Sequence, residues 1–373
     1  MSMGLDLGTS VFRSVRAHGR ELRARRFPAS YVMIPDQPAN RQKLERSEGL
    51  FVPCGEHLVV LGDAALELAR SRSLPLYPLL PGGKLDMRDA LSRQIMAAMV
   101  DAVLPEAKTP GEICCLTVPS TRMAETQIAL SGDLLDDQRS TFDWPELDYS
   151  CQLVKLRGYQ PVAVGQALAV TLAELVGESF CGVTAVFGAS VTEFAVAHQG
   201  REIARVVIPR GGDWIDEQLT TMSSSKLNPH ERNLETDRID ADVRHLLSIQ
   251  KARHDREQAS RAPSNEAHAS MMVEGRYADL YRQFLMAVLS EAGRRLHQVA
   301  ALANFPQPTV LAYAGGLSRA TGFPTMLKNA MRQIDWPIAI ESYRSAELSP
   351  FGVARGCLIH AALEELATQK PAA

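Results

Sequence analysis

A hairpin that occurs twice constrains this chain more than any other feature. Met3–Leu7 is apolar, runs straight into Gly8-Thr9-Ser10 and resumes as Val11–Val15, the pattern of two short strands joined by a tight glycine turn. The design returns halfway along, where Val183–Val196 is interrupted by Gly188-Ala189-Ser190 and Glu202–Val207 follows across a turn at Gln199-Gly200. In each half a further strand and a helix follow. The first half offers a strand at Ile113–Val118, stopped by Pro119, and helical spacing over Arg122–Ser131 up to Gly132. The second offers a long amphipathic helix through Tyr277, Leu280, Tyr281, Phe284, Val288, Leu289, Leu296 and Val299. It continues with a strand at Val310–Tyr313 and an alanine-rich closing helix at Phe351–Leu366. Repetition of a hairpin, strand and helix predicts two lobes built from related halves.

Size and composition agree with that plan. A length of 373 residues suits two domains of ordinary size. With 46% hydrophobic and 22% charged residues, the chain has the proportions of a soluble globular protein. A formal net charge of -3 gives no global attraction to nucleic acid or an anionic membrane, and Arg20–Arg26 reads as a solvated hairpin. The cysteines Cys54, Cys114, Cys115, Cys151, Cys181 and Cys357 form no CxxC pair and read as buried reduced thiols. No apolar run approaches the ~20 residues that span a bilayer, so a cytoplasmic protein without a transmembrane segment is expected. Two polar stretches, Ala39–Gly55 and Ser223–Gly275, read as surface subdomains, the second periodic only at Val243–Ile249.

Glycine turns between strands let backbone N–H groups converge on a phosphate without side-chain obstruction. Three such turns exist: Asp6-Leu7-Gly8-Thr9-Ser10, Gly188-Ala189-Ser190 after Val186-Phe187, and Ala314-Gly315-Gly316 after the strand at Leu311. Any one alone is usually only a turn.

Taken in order, the motifs resemble the actin and seventy-kilodalton heat-shock chaperone superfamily, with bacterial actin homologues of the MreB type nearest. Asp6-Leu7-Gly8-Thr9-Ser10 resembles its first phosphate loop, and Leu116–Ser120 the strand ending in Val-Pro. Tyr159-Gln160-Pro161 with Val162–Val170 looks like the first connecting helix, and Val186–Val196 like the second phosphate loop. Gly211-Gly212-Asp213-Trp214-Ile215-Asp216 matches the Gly-Gly-Asp signature that follows. Ala314-Gly315-Gly316-Leu317-Ser318-Arg319 resembles the adenosine loop, and Pro350–Ala361 the final helix. The resemblance implies a two-lobed α/β actin-like fold, each lobe a mixed sheet flanked by helices, with a nucleotide cleft between them. Lobe I would span 1–165 with a small polar subdomain near 30–85. Lobe II would span 166–367 with an inserted subdomain near 223–275, leaving a frayed tail at 368–373.

Carried over residue by residue, the resemblance implies that Asp6 binds Mg²⁺, through water. Gly8, Thr9 and Ser10 would meet the phosphates of ATP or ADP from one side. Gly188, Ala189, Ser190, Thr192, Gly212 and Asp213 would meet the nucleotide from the other. Gln250 and Arg253, one turn apart on a helix, fall where chaperones place ribose contacts, although a solvated helix face explains them as well. Gly315 and Gly316 would lie against adenine. Gln160 falls where family members orient the attacking water, and it also reads as a polar residue at a helix N-terminus before Pro161. The second loop departs from the pattern, because Val186 stands where the family carries an Asp. Thr192-Glu193 is retained.

The first functional expectation is a nucleotide-dependent filament protein with weak ATP hydrolysis, self-associating head to tail. The chain stops shortly after the closing helix, where a full chaperone would append a substrate domain. It also starts without an amphipathic extension, so membrane attachment is not expected. The second is a pseudo-ATPase that presents its surface to a protein partner, which Val186 favours. A sugar or acetate kinase would need a catalytic Asp and a substrate pocket that the sequence does not reveal. No nucleic-acid partner is expected.

Overall fold

The computed structural model describes residues 2–19, 21–117, 130–131, 145–224, 236–259, 270–346 and 350–369. Its fifteen described strands are β1 (Met3–Leu7), β2 (Val11–His18), β3 (Glu21–Pro28), β4 (Ser30–Pro35), β5 (Phe51–Cys54), β6 (His57–Leu61), β7 (Tyr77–Pro78), β8 (Ile113–Thr117), β9 (Leu130–Ser131), β10 (Gln160–Val164), β11 (Gly182–Phe187), β12 (Thr192–His198), β13 (Arg201–Ile208), β14 (Thr309–Ala314) and β15 (Ile340–Ser345). They form sheets ordered β10-β8-β1-β2-β3, β15-β14-β11-β12-β13-β9 and β5-β6-β4-β7.

The two large sheets repeat one plan. β1, β2 and β3 run antiparallel, while β8 and β10 are added parallel to β1. β11, β12 and β13 likewise run antiparallel, and β14 and β15 are added parallel to β11. The duplicated hairpin of the sequence is thus the first unit of two equivalent sheets, each mixed and flanked by helices.

Each sheet carries its own core. Met3, Leu5 and Phe12 of the first meet the helix Ala90–Val103, which buries Ile95, Met96, Met99, Val100 and Val103 and whose N-cap Asp89 accepts from the Leu91 and Ser92 amides. Phe187 and Phe194 of the second pack with Phe284 of the helix Ser270–Leu296 and with Phe323, as ring pairs 5.1 to 6.3 Å apart. The third sheet belongs to the segment from β4 to β7, with a separate core around Val32, Leu44, Val60 and Leu68.

Two helices join the lobes. Gln166–Glu174 follows β10 and packs on the second sheet through Ala167 and Val170; Gly352–Gln369 follows β15 and packs on the first through Ala354, Leu358 and Ala361. They cross so closely that a Cβ on Gly356 would lie 1.7 Å from the Ala169 carbonyl oxygen, a contact that only glycine permits.

Several expectations need correction. Residues 160–164 are a strand, not the start of the connecting helix, which begins at Gln166. Gln160 precedes a proline and is followed by Val162 and Val164, all of which favour extended backbone. The helix expected over Arg122–Ser131 falls outside the described residues as far as 129, and Leu130–Ser131 pairs with Ala204 and Arg205 as a short strand. The weakly periodic stretch from Ser223 holds a long helix, Thr236–Ala259, and the amphipathic helix starts at Ser270, before Tyr277. Among the described residues no helix is long and apolar enough to cross a membrane.

Candidate functional site

The site forms where the two hairpin turns face each other. Ser190 Oγ lies 3.5 Å from Thr9 Oγ1, so the turn between β11 and β12 meets the turn between β1 and β2. The two turns share a shape. A Cβ on Gly8 would sit 3.0 Å from the Val11 carbonyl oxygen, and one on Gly188 would sit 2.8 Å from that of Val191.

Asp6 stands just below the first turn, opposite Arg13 in the β1–β2 register. Arg13 Nη1 reaches its Oδ2 at 3.4 Å. Its Oδ1 is buried without a hydrogen-bond partner and lies 3.6 Å from the Cβ position of Gly8. Burial raises the carboxyl from 3.8 to about 6, and the charge and hydrogen bond of Arg13 oppose that rise. The Leu7 amide donates to Thr117 Oγ1 at 2.9 Å and ties the strand end to β8.

In the second hairpin the residue equivalent to Asp6 is Val186, which pairs with Glu193. The carboxylate nearest that position is Glu193, on the partner strand. There it accepts from the Ala167 amide at 3.2 Å and lies 3.5 Å from Arg205 Nε, fully buried and already partnered. Burial pulls the Arg205 guanidinium down, but Glu202 and Glu193 outweigh it and hold the group above its ordinary range.

The Gly-Gly-Asp segment clamps the second turn. The Gly212 amide donates to the Gly188 carbonyl at 3.1 Å and the Asp213 amide to that of Ala189 at 2.8 Å. A Cβ on Gly211 would lie 2.3 Å from the Ala189 oxygen, so the approach is backbone on backbone. Ser190 Oγ donates to Asp213 Oδ2 at 2.7 Å, and Thr192 Oγ1 donates to the Arg210 carbonyl at 2.8 Å. Gly315 sits at φ +109°, and a Cβ there would lie 2.2 Å from the Phe187 oxygen, so both the conformation and the close approach require glycine. Gly316 borders open space, and Ser318 Oγ closes the loop on the Gly315 carbonyl at 2.8 Å.

Gln250 and Arg253 do not present a free face. Gln250 Oε1 accepts from the Leu76 amide at 3.3 Å, reaching from the helix Thr236–Ala259 to the segment before β7. Arg253 binds Asp213 at 2.7 Å and the fully buried Asp216 at 3.1 Å, and Arg256 binds Asp216 at 2.6 and 3.0 Å. These bonds occupy Gln250 Oε1 and the Nε and Nη2 of Arg253. Burial lowers the Arg256 guanidinium, but Asp216 prevails and holds it above its ordinary range.

Gln160 is not brought to the site. It pairs with Ile113 at the start of β10, whereas Val164 pairs with Thr117 beside Leu7. Four residues of strand separate these positions, about 13 Å. Its exposed side chain lies at the opposite end of the sheet from the turns. Arg13, Asp216 and Arg256 were missed in the sequence. Arg13 was legible from register, since a hairpin pairing Leu7 with Phe12 must also pair Asp6 with Arg13. The arginine cluster required knowledge of how two helices pack.

The volactin family profile matches residues 1–361. The chain belongs to the volactin family. No curated protein matches this volactin-family chain. Among solved structures it is similar to a MamK double helical filament, at 15% identity over 99% of both chains with a TM-score of 0.59. A non-polymerising MamK mutant bound to AMPPNP matches at 16% identity over 96% of this chain and 98% of that one, with a TM-score of 0.51. MreB 5 of Spiroplasma citri bound to AMPPNP matches at 11% identity over 98% and 97%, with a TM-score of 0.58. These likenesses establish the two-lobed actin-like fold.

Proposed function

We propose that this volactin-family protein binds ATP or ADP with Mg²⁺ between the two glycine turns and assembles head to tail into filaments, hydrolysing ATP weakly. One observation carries the reading: Thr9 and Ser190 meet across the cleft beside a carboxylate whose Oδ1 is buried and unpartnered. An orphaned buried acceptor is costly unless something satisfies it, and the water shell of a hard cation is suited to do so. The site thus fits the metal. Asp6 would hold it, and bound Mg²⁺ would neutralise phosphate charge. Backbone groups of Gly8, Thr9 and Ser10 on one side, and of Gly188, Ala189 and Ser190 on the other, would hold the phosphates. Gly212 and Asp213 brace the second turn, Gly315 lets the adenosine loop close against Phe187, and the open space beside Gly316 leaves room for a flat base. The likeness to a MamK filament and to AMPPNP-bound neighbours supports both halves of the proposal.

Weak hydrolysis follows from what flanks the turns. Val186 is apolar and buried, Glu193 is committed to Ala167 and Arg205, and Gln160 lies at the far end of its strand. Val186 also favours a second reading, a pseudo-ATPase that closes on nucleotide to present a surface to a protein partner. Sedimentation and negative-stain imaging with Mg²⁺ and ATP separate the two. Nucleotide-dependent pelleting of polymers supports assembly, whereas monomers that bind ATP support the partner-binding module. Absence of ATP binding in calorimetry would remove both.

A further inference from the structure

The second sheet carries a cysteine and a histidine side by side at the end away from the glycine turns. β11 and β12 pair as far as Gly182 with Ala197, so the next residues out, Cys181 and His198, face one another. Cys181 Sγ lies 3.5 Å from His198 Nδ1. The Gln199 amide donates to the same sulfur at 3.1 Å. Both Cys181 and His198 are half-buried, whereas the sequence alone reads the thiol as buried. From Cys181 to Gly188 runs about 23 Å of strand, which keeps the pair clear of the turns.

The backbone around the sulfur is constrained on both sides. Ser179, Phe180 and Gln199 have φ of +53°, +57° and +52°, a left-handed conformation that residues other than glycine, a phenylalanine above all, adopt only when their surroundings hold them there. The Cys181 amide donates to the Glu178 carbonyl at 3.0 Å and the Gly200 amide to the Phe180 carbonyl at 3.1 Å, so the turn before β11 is fastened to the turn after β12. The other cysteines lack such company. Cys114, Cys115 and Cys357 are buried, and burial pushes the Cys114 and Cys115 thiols well above their usual range. Cys54 and Cys151 are half-buried, but among the described residues no cysteine except Cys181 has both an imidazole and a backbone amide on its sulfur.

We infer that Cys181 is a modification site that takes a low-molecular-weight disulfide, with His198 as its base. The S–H has two acceptors, the Ser179 carbonyl oxygen at 3.5 Å and His198 Nδ1, and only the imidazole can carry the proton away. With Nδ1 as the unprotonated ring nitrogen, the proton passes to it as Sγ attacks one sulfur of a disulfide R–S–S–R, and the Gln199 N–H meets the charge on Sγ. A bond forms between Sγ and that sulfur, the bond between the two sulfurs of R–S–S–R breaks, and the leaving thiolate takes the proton from Nδ1 and departs as R–SH. Cys181 is oxidised and the departing sulfur is reduced, so no further oxidant enters.

The test incubates the full chain with oxidised glutathione and follows the adduct by intact mass spectrometry and peptide mapping. A single glutathionyl group should appear first, on Cys181, at least about tenfold faster than on the half-buried Cys54 and Cys151. Unfolding in urea should erase that preference, because it belongs to the fold. His198→Gln should slow the reaction at Cys181 by at least about tenfold without changing the rates at the other thiols, and Cys181→Ser should remove the fast adduct. The comparison of Cys181 with Cys54 is made within the native chain, so it stands even where a variant fails to fold. The inference is overturned if Cys181 reacts no faster than Cys54 in the native chain, or if folded His198→Gln protein reacts at the native rate.

Discussion

At the scale of single residues, Asp6 shows function set against stability. Its carboxyl, moved from 3.8 to about 6, costs the ionised fold about 3 kcal/mol at most. Because the folded value is raised, the protonated form is the one that favours folding. Stability of the nucleotide-free protein is therefore expected to fall as pH rises from about 4 to about 6, a slope that denaturant melts across this window would read. Asp6→Asn should flatten that slope and stabilise the protein at neutral pH while abolishing Mg²⁺-dependent nucleotide binding. A variant that loses stability at pH 7, or that keeps Mg²⁺-dependent binding, would contradict the role given to Asp6. Gln160→Ala makes the complementary case. Its side chain is exposed and remote, so stability should change by no more than about 0.5 kcal/mol and ATP turnover should be unaltered. The sequence suggested Gln160 because Gln-Pro resembles a motif; the misreading arose because a motif gives residue types and not the end of the strand on which they fall.

Among the elements, the helix beginning at Gly212 is the second turn's foundation. Its first two amides hold the turn's carbonyls, and its Asp216 anchors Arg253 and Arg256 from the next helix. Removing Asp216 takes the carboxylate that holds the buried Arg256 and one of the two that hold Arg253. Asp216→Ala should cost about 3–5 kcal/mol, measured by urea denaturation, and Asp216→Asn less because it keeps the shape and one acceptor. The helix Ser270–Leu296 contributes Phe284, fully buried among Phe187, Trp214 and the aliphatic core. Phe284→Ala should cost about 3–5 kcal/mol in the same assay. That helix was legible, because its apolar residues recur at helical spacing. The helix Thr236–Ala259 was not: its useful faces are charged, and their partners sit on another helix.

For the whole molecule, the described contacts across the cleft are few and polar. Thr9 meets Ser190, and the Leu76 amide meets Gln250. A nucleotide held from both sides would add to these and favour the closed arrangement. AMPPNP with Mg²⁺ at a hundredfold excess over its dissociation constant should stabilise the protein by about 2.7 kcal/mol. Hydrogen exchange at the Leu76 amide should slow in the same sample. Unchanged exchange there, with stabilisation elsewhere, would mean that nucleotide binds without closing the roof of the cleft.

The sequence by itself determined the duplicated hairpin, the glycine turns and the apolar faces of the long helices, since each depends on neighbours within a few positions. It also carried the departure at Val186, which the register places opposite Glu193 just as Asp6 stands opposite Arg13. Only the tertiary structure decided that Gln160 lies at the opposite end of β10 from the turns and that Arg253 binds Asp213 and Asp216. Those facts rest on which strand ends and helix faces come together. That pairing is set by long-range packing, which local periodicity does not encode.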